Sequence, residues 1–381
     1  MRICLDLRTT VGPMHGIARY GVELARALQK LDHSHKFFLL TGNRSPFDPG
    51  EVPSAEVLGS AVRPYTFMEQ IWVPRILDRL QVDLYHCLTY ACPAVVRQPF
   101  LLTVHDLLPL VRRQEFAISR RAYLQTVVRL AARRSRRIIV VSDYTKSCMA
   151  RWFRRTIGKT RVVSSGGDHI TKTQVTPEDE RRFLVIIPEK SPFFLSVANS
   201  RLHKNILFSV RCFSRMVQET GVGFQYVLVG SQHPEVYSYL EQCPARKQIR
   251  FAGQVTDGLL RILYERAIAL LFPSLGEGFG LPVAEAMQFG LPVIAFQDGA
   301  VSELLGGTGV VLPGQEVRDW KDAMWGIYQR RTRGDWDPNP VQERAREHTW
   351  LRAAEQTMAI YEEVSEEQNT PCSGRGGGVA C

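Results

Sequence analysis

Two glutamates that could bind sugar-like hydroxyl groups lie close together in the second half of the chain. Glu277 lies in a Gly-rich loop, and Glu285 follows after seven residues, about one turn into a predicted short helix whose first turn contains Pro282. Glycines let backbone amides approach a ligand, and the N-terminus of a helix favours an anion such as a diphosphate. Because helical side chains lean toward the N-terminus, we expect the Glu285 carboxylate to point into the same pocket.

Carboxylates beside an anion site are expected to bind hydroxyl groups, because they repel phosphate and accept strong hydrogen bonds. A molecule with a diphosphate in the middle and hydroxyl groups at both ends is a nucleotide sugar. In the alternative interpretation, Glu277 lies at the tip of a solvated loop. Glu285 then only stabilises its helix, because a negative charge near the N-terminus interacts favourably with the helix dipole. The whole string from Leu271 to Ala295, read as strand, loop, helix and strand, favours the ligand site.

This segment resembles the E-x7-E motif of the family 4 glycosyltransferases, which are retaining enzymes of the GT-B fold. The resemblance covers roughly residues 2–365. Weaker motifs precede this segment and occur in the order that is typical of the family, at residues 15–20, 103–106, 140–147, 197–205, 228–230 and 251–253. Three positions depart from the family pattern, namely His15, Asn199 and the segment 164–168.

The resemblance implies a role for each motif residue. Glu285 would hold the ribose hydroxyls, and Glu277 the hydroxyls near the anomeric carbon. Lys204, assisted by Arg201, would bind the diphosphate, and His105 would contact the donor sugar or the reacting centre. The candidate catalytic residues are therefore Glu277, His105 and Lys204, and the candidate donor-binding residues are Gly16, Arg201, Lys204, Glu277, Gly278, Phe279, Gly280, Leu281 and Glu285.

The elements that must position these residues alternate between short apolar runs and helical patterns. Such alternation predicts two doubly wound parallel sheets, each buried on both faces. A helix is predicted over 16–31 and a second over 119–133. The strands are predicted at 3–7, 36–41, 83–87, 100–105 and 138–142, and then at 193–198, 225–230, 249–253, 268–273 and 292–296.

The domain organisation follows from this alternation and from the resemblance to the GT-B fold. An acceptor-binding domain over 1–175 and a donor-binding domain over 190–348 would face each other across a cleft, with the hinge within 165–192. The segment 349–365 would be a helix that returns to the first domain. The tail 366–381, rich in Gly, is expected to be disordered.

The charge of the chain admits several partners. Its 381 residues carry a formal net charge of +10, and nine arginines lie between Arg112 and Arg137 against the single acid Glu115. A basic amphipathic helix there could lie on anionic lipid, which would suit a lipid-linked acceptor, or it could be a solvated face. Nucleic-acid binding is less favoured because no recognition motif appears.

The sequence also bears on the location of the protein and on its need for cofactors. No apolar run approaches the length of a membrane span and the N-terminus predicts a strand, so we expect a cytoplasmic protein, either free or peripheral on the inner face of the plasma membrane. The eight cysteines show no metal-binding spacing. No cofactor or metal is expected, and Asp335-Trp336-Asp337 is interpreted as a chance match to a metal motif.

The sequence thus predicts a retaining hexosyltransferase. It would transfer mannose or glucose from a GDP- or UDP-linked donor to a lipid-linked or oligosaccharide acceptor in the synthesis of a surface polysaccharide such as lipopolysaccharide. Two alternatives stay open, a nucleotide-sugar epimerase of the same fold and a scaffold or sensor that binds the nucleotide sugar without turnover.

Overall fold

A computed structural model describes residues 1–10, 12, 14–31, 34–42, 50, 52–188, 191–231, 234–297 and 299–369. It contains two parallel sheets, which confirms the doubly wound architecture. The first has the order β3-β2-β1-β4-β5-β6-β7 and the second the order β10-β9-β8-β11-β12-β13. The strands are β1 Arg2–Leu7, β2 Lys36–Gly42, β3 Ala55–Ser60, β4 Leu84–Cys87, β5 Phe100–Val104, β6 Arg137–Val140, β7 Thr160–Val162, β8 Phe193–Ala198, β9 Gln225–Gly230, β10 Ile249–Gly253, β11 Leu270–Phe272, β12 Val293–Phe296 and β13 Val310–Leu312.

Helices cover both sheets. They are α1 Gly16–Leu31, α2 Glu69–Arg79, α3 Leu108–Val111, α4 Ile118–Tyr123, α5 Arg129–Arg134, α6 Asp143–Trp152, α7 His169–Lys172, α8 Pro177–Ile186, α9 Ile206–Thr220, α10 Pro234–Leu240, α11 Asp257–Arg266, α12 Leu281–Gln288, α13 Gly299–Leu305, α14 Val317–Arg333, α15 Asn339–Ala345 and α16 Trp350–Asn369.

The strand order of each sheet reverses at one point, and such points are typical ligand-binding positions. In the first sheet the chain order reverses between β1 and β4, and in the second between β8 and β11. Open parallel sheets bind ligands at such switch points, beyond the carboxyl ends of the strands. The loops that follow β8 and β11 carry Lys204 and Glu277. The topology therefore brings these two predicted residues to the same edge of the second sheet.

The prediction of five strands in each sheet was too low. The sheets have seven and six strands, and β3, β7 and β13 were missed. The strand β3 lies at an edge, is mostly only partly buried and contains Glu56 and Gly59, so it lacks a continuous apolar run. The strands β7 and β13 have three residues each, which is too short for a periodic pattern to emerge.

The segment that was predicted as a hinge contains helix α8. Thr176 caps this helix, its hydroxyl accepting from the Asp179 amide and the Asp179 carboxylate accepting from the Thr176 amide. Arg182 donates to the carbonyl oxygens of Ala252 and Gln254 at distances of 3.1 and 2.8 Å. The helix therefore packs with the second sheet. The chain crosses before this helix from the first unit, which is the first sheet with its helices, to the second unit, which is the second sheet with its helices.

The last helix packs against the first unit. Tyr361 of α16 contacts the buried His86 of β4, with 2.6 Å between the phenol oxygen and Nδ1. Arg137 at the start of β6 pairs with Glu363 at 2.7 Å and also with Glu367. The expectation of disorder from residue 366 was wrong for 366–369, because α16 continues to Asn369 and Glu367 has this partner. Residues 370–381, with Cys372 and Cys381, lie outside the described residues.

Buried histidines make the stability of this fold depend on pH. Burial lowers the pKa of His86 to about 3, and it lowers the pKa values of His105 and His348 to about 4. The unfolded chain, with histidine pKa values near 6.5, binds more protons between about pH 6.5 and 4. Their contribution to stability is therefore complete above pH 6.5 and is lost as the pH falls toward 4.

We expect the free energy of unfolding to drop by about 1.4 kcal/mol per pH unit for each such histidine in this window. Denaturant unfolding at pH 7, 6 and 5 measures the drop. His86→Gln, which has no titrating group here, should give a smaller slope than the parent protein. An equal slope would show that His86 does not contribute to the pH dependence.

Candidate functional site

The Gly-rich loop after β11 lies at the contact between the two units. Gly280, with φ of +102°, precedes α12 and takes a left-handed conformation that favours glycine. A Cβ atom on Gly278 would lie 1.8 Å from the carbonyl oxygen of His105, after β5. The hydroxyl groups of Ser142 and Thr145 donate to the Gly278 carbonyl at 2.7 and 3.2 Å. Gly278 is therefore needed for the approach of the first unit, a role that the sequence did not predict.

Glu277 and Lys204 form a close ion pair, as expected for residues of one site. Lys204 Nζ lies 2.5 Å from Glu277 Oε1, and the two side chains are only 14% and 12% exposed. The two loops are joined by the backbone as well, since the Leu275 amide donates to the His203 carbonyl at 2.7 Å. The structure thus places Lys204, the residue predicted to bind the diphosphate, beside Glu277, the residue predicted to bind the sugar, and both are largely shielded from solvent.

Glu285 is buried on α12 and is surrounded by groups that the sequence did not identify. Tyr264 donates from its hydroxyl to Glu285 Oε2 at 2.8 Å. His169 Nε2 lies 3.4 Å from Glu285 Oε1. Trp350 donates from its indole nitrogen to His169 Nδ1 at 3.1 Å, which places the proton of a neutral His169 on Nε2. The Tyr264 hydroxyl therefore orients the carboxylate before any ligand hydroxyl arrives, with His169 Nε2 close by but not hydrogen-bonded to it.

Arg19 adds a cation near Glu285 and connects the two units. It lies one turn into α1 and pairs with Asp257 at the start of α11, with 2.6 Å between Nη2 and Oδ1. The charges of Asp257 and Glu285 raise the pKa of the Arg19 guanidinium against the opposing effect of burial, which is the largest. The signal for Arg19 was present in the sequence, within the motif that contains Gly16, but no role was assigned to it.

His105 is a neutral hydrogen-bonding group in this site. Its Nε2 donates to the carbonyl oxygen of Leu88 at 2.8 Å, and the ring of Tyr20 meets it edge-on with 4.6 Å between centroids. Burial lowers the pKa of His105 to about 4. The imidazole is therefore uncharged at neutral pH, with Nδ1 as its unprotonated nitrogen.

Asp106, which follows His105, is a further acid beside Glu277. Burial raises the pKa of Asp106, the Leu108 amide lowers it, and the charge of Glu277 raises it further. Its Oδ1 accepts from the Leu108 amide at 2.9 Å. The first unit thus presents both a neutral imidazole and a carboxyl group toward the loop of Glu277.

Two helix N-termini converge at the other predicted donor-binding positions. A Cβ atom on Gly16, the first residue of α1, would lie 3.5 Å from Leu281 Cδ1, the first residue of α12. The positive ends of both helix dipoles therefore point to one region, which favours an anion. Burial lowers the pKa of His15, the residue before Gly16, and the charge of Arg201 from the second unit lowers it further.

The Asp335-Trp336-Asp337 sequence, which was interpreted as a chance match, lies away from this site. Trp336, between Asp335 and Asp337, donates to the Gly290 carbonyl at 3.0 Å, which places this motif at the opposite end of α12 from Glu277. Across the described ranges, no cluster of three or more His, Cys, Asp or Glu side chains could hold a metal ion. The six cysteines among them are free thiols, and all but Cys148 are buried.

The basic segment 112–137 contains a helix whose register the sequence predicted only in part. The helix runs through α4, a π-helical turn at Leu124–Val128 and α5. Leu124 and Val128 are buried as expected, whereas Leu130 is 43% exposed. The π turn adds a residue to the turn, which rotates the following positions away from the expected face. Arg112, which donates to the Leu275 carbonyl at 3.2 Å, and Arg137 serve internal contacts.

Comparisons with known proteins cover both units. Residues 14–169 match the model of Glycosyltransferase Family 4, and residues 177–333 match the model of Glycosyl transferases group 1. The O-antigen chain mannosyltransferase RfbU of Salmonella typhimurium is 25% identical over 275 residues, 71% of this chain and 72% of the relative. The O-antigen chain mannosyltransferase B of Escherichia coli is 23% identical over 347 residues, 83% of this chain and 88% of the relative.

Solved structures share the fold of this chain. A sucrose-phosphate synthase from Thermosynechococcus elongatus superposes with a TM-score of 0.77 at 19% identity, over 96% of this chain and 99% of that one. At this identity the likeness concerns the fold alone. It shows that the two parallel sheets are arranged as a GT-B fold.

Proposed function

The chain belongs to the family 4 glycosyltransferases, and from this premise we propose that it transfers a mannosyl or glucosyl group from a GDP- or UDP-linked donor with retention of configuration. It is a hexosyltransferase of surface polysaccharide synthesis, in keeping with its O-antigen mannosyltransferase relatives. The observation that carries the proposal is the ion pair of Glu277 and Lys204, which is largely shielded from solvent in the loops that follow β11 and β8.

In the proposed donor complex, each charged group has a partner of suitable chemistry. Lys204, assisted by Arg201, binds the diphosphate together with the amides at the N-terminus of α12, and the Gly16 end of α1 approaches it. The carboxylate of Glu285 accepts from the ribose hydroxyls, and that of Glu277 accepts from the sugar hydroxyls, with backbone groups of Gly278, Phe279, Gly280 and Leu281 alongside. This division keeps both acids away from the phosphates, where they would be repelled.

We propose a front-face substitution for the chemical step. The bond between the anomeric carbon and the diphosphate oxygen breaks, and the acceptor oxygen forms a bond to the same face of that carbon. The acceptor proton passes to the departing phosphate oxygen. The basic side chains and the N-terminus of α12 stabilise the diphosphate charge in place of a metal ion. Lys204 stabilises the charge that grows on the nucleoside diphosphate as it departs, and the neutral His105 hydrogen-bonds near the reacting centre.

A panel of nucleotide sugars tests the donor site. Binding at a hundredfold excess over Kd stabilises the folded state by about 2.7 kcal/mol, so one of GDP-mannose, GDP-glucose, UDP-glucose and UDP-mannose should raise the Tm by several degrees. Glu285→Gln should reduce this shift, and the exposed Glu316→Gln should leave it unchanged. If no member of the panel shifts the Tm of the parent protein, the proposed site is wrong.

Membrane contact is a further part of the proposal. None of the helices in the described ranges is both long enough and apolar enough to cross a membrane. The basic segment exposes Ile118 at the start of its helix, of which 75% is accessible, Arg133 and Arg134 in the last turn, and Arg136 just beyond the helix. An apolar residue and three cations on an exposed surface suit contact with anionic lipid in which a lipid-linked acceptor is embedded.

Vesicle sedimentation tests this contact. We expect the protein to sediment with phosphatidylglycerol vesicles and not with phosphatidylcholine vesicles. Replacing the three exposed arginines with Gln should weaken sedimentation, because each contributes about 1 kcal/mol near an anionic surface. The exposed Arg318→Gln serves as the control. Sedimentation that does not respond to the triple substitution would remove the basic segment from the proposal.

A further inference from the structure

A cluster of aromatic rings surrounds one arginine on the first unit. The guanidinium carbon of Arg120 lies 5.7 Å from the ring centre of Tyr65, 5.9 Å from that of Tyr90 and 5.8 Å from that of Phe116. Its Nη2 donates to the Tyr90 hydroxyl at 2.9 Å. Three aromatic faces therefore fix the position of this cation, each attracting it through the ring quadrupole.

Arg120 lacks a carboxylate partner in the part of the chain that the structure describes. Its Nε is buried and without a hydrogen-bond partner among those residues, and its bond to Tyr90 uses only one of its five donors. Asp106 acts on Arg120 through its charge and forms no ion pair with it. A half-buried guanidinium with unused donors is suited to bind an anionic oxygen group, which can accept two parallel hydrogen bonds.

The cluster adjoins the reacting end of the proposed donor site. Burial raises the pKa of the Tyr90 hydroxyl, and the charge of Asp106 raises it further. The pKa of Asp106 is raised in the same way by burial and then by the charge of Glu277. From the second unit, Arg201 approaches the same cluster, with its guanidinium carbon 5.9 Å from the ring centre of Phe116. A ligand at Arg120 would thus lie beside the sugar end of the donor, on the acceptor side of Glu277.

Tyr65 is held in an unfavourable backbone conformation at the edge of this cluster. Its φ is +64°, which is rare for a bulky residue and costs about 1–3 kcal/mol. The buried Glu69 holds it there by accepting from the Tyr65 amide at 3.2 Å, and Glu69 is fixed in turn by the Tyr123 hydroxyl at 2.8 Å. The Tyr65 side chain remains 41% exposed, so that one part of the ring can receive a ligand.

We propose that Arg120 and Tyr65 form the acceptor subsite, and that the acceptor is anionic next to the sugar that receives the hexose. The acceptor sugar lies on the exposed part of the Tyr65 ring, and a phosphate or carboxylate group attached to it pairs with the Arg120 guanidinium. The inference rests on the proposed transferase function and narrows its acceptor to an anionic glycoconjugate. A neutral oligosaccharide would offer the Arg120 donors only hydroxyl oxygens, which are weaker acceptors than an anionic oxygen.

Three probes with the same alkyl chain distinguish the chemistries. They are decyl α-mannosyl phosphate, decyl β-glucuronide and the neutral decyl α-mannoside, each titrated calorimetrically into the full chain below its micellar concentration. We expect one anionic probe to bind at least tenfold more tightly than the neutral one. Preference for the phosphate probe identifies a phosphate-linked acceptor, and preference for the glucuronide identifies an acidic sugar.

Substitutions then assign the preference to the cluster. Arg120→Gln should abolish it, Arg120→Lys should retain part of it, and Tyr65→Ala should weaken all three probes alike. Arg318→Gln, at a position 87% exposed and far along the chain from the cluster, is the control and should behave as the parent protein. The thermal shift given by the nucleotide sugar should be unchanged in every variant, so that a loss here is not a loss of the donor site.

Equal binding of the three probes by the parent protein would overturn the proposal, as would binding of none. Retention of the anionic preference in Arg120→Gln would also overturn it. These outcomes leave the proposed transferase function intact if the donor still shifts the Tm. A missing donor shift, in contrast, is a failure of the proposed function.

Discussion

Glu277→Gln is expected to lower the turnover number about a hundredfold. The amide keeps the shape of the side chain but removes the charge that pairs with Lys204 at 2.5 Å and that accepts from the donor sugar. Loss of a charge-assisted hydrogen bond in the transition state costs about 1.5–3 kcal/mol, and each 1.36 kcal/mol is a factor of ten in rate. Release of nucleoside diphosphate in the presence of donor and acceptor measures the change.

The separation of kcat from KM reports which state Glu277 stabilises. A fall in kcat with little change in the donor KM means that the carboxylate acts mainly in the transition state. Lys204→Met should raise the donor KM as well, because Lys204 would contact the diphosphate in the ground state. Glu316→Gln, on the exposed surface, is the matched control. Unimpaired transfer by Glu277→Gln would refute its catalytic role.

The fold and part of the site could be predicted because their signals are local in sequence. Buried parallel strands such as β8 and β9 are continuous apolar runs, and their predicted bounds agree with the structure. The helix α1 was predicted with the correct bounds from its own periodicity. Glu277 and Glu285 occur in one short segment, so a single loop and helix determine where both side chains lie.

The partners of these residues could not be predicted because they come from distant parts of the chain. Tyr264, His169 and Asp106 reach the two glutamates from α11, α7 and the end of β5, and each has only an ordinary local context. Nothing in a single sequence states which loops of the two sheets meet. The π turn at Leu124–Val128 is a second such feature, since its extra residue depends on packing and not on a breaker residue.

The role of Gly278 depends on the same contact between the units and leads to the second large effect. Gly278→Ala is expected to lower turnover by about a hundredfold or more, although alanine is tolerated by its backbone conformation. The new Cβ atom would lie 1.8 Å from the His105 carbonyl oxygen and 2.7 Å from the carbonyl carbon, both of them backbone atoms that cannot rotate away. The two units must separate, and a misplacement of about 1 Å can cost about a hundredfold in rate.

Such separation also breaks the contacts that fix the loop of Glu277. The hydroxyl groups of Ser142 and Thr145 would lose the Gly278 carbonyl, so that Glu277 would no longer be aligned with His105. Gly314→Ala, where a Cβ atom meets no other atom within 4 Å, is the control and should retain full turnover. Each sheet keeps its own core in Gly278→Ala, so its circular dichroism spectrum should match that of the control. If Gly278→Ala turns over as fast as Gly314→Ala, then the close approach of the loop to His105 is not required for catalysis.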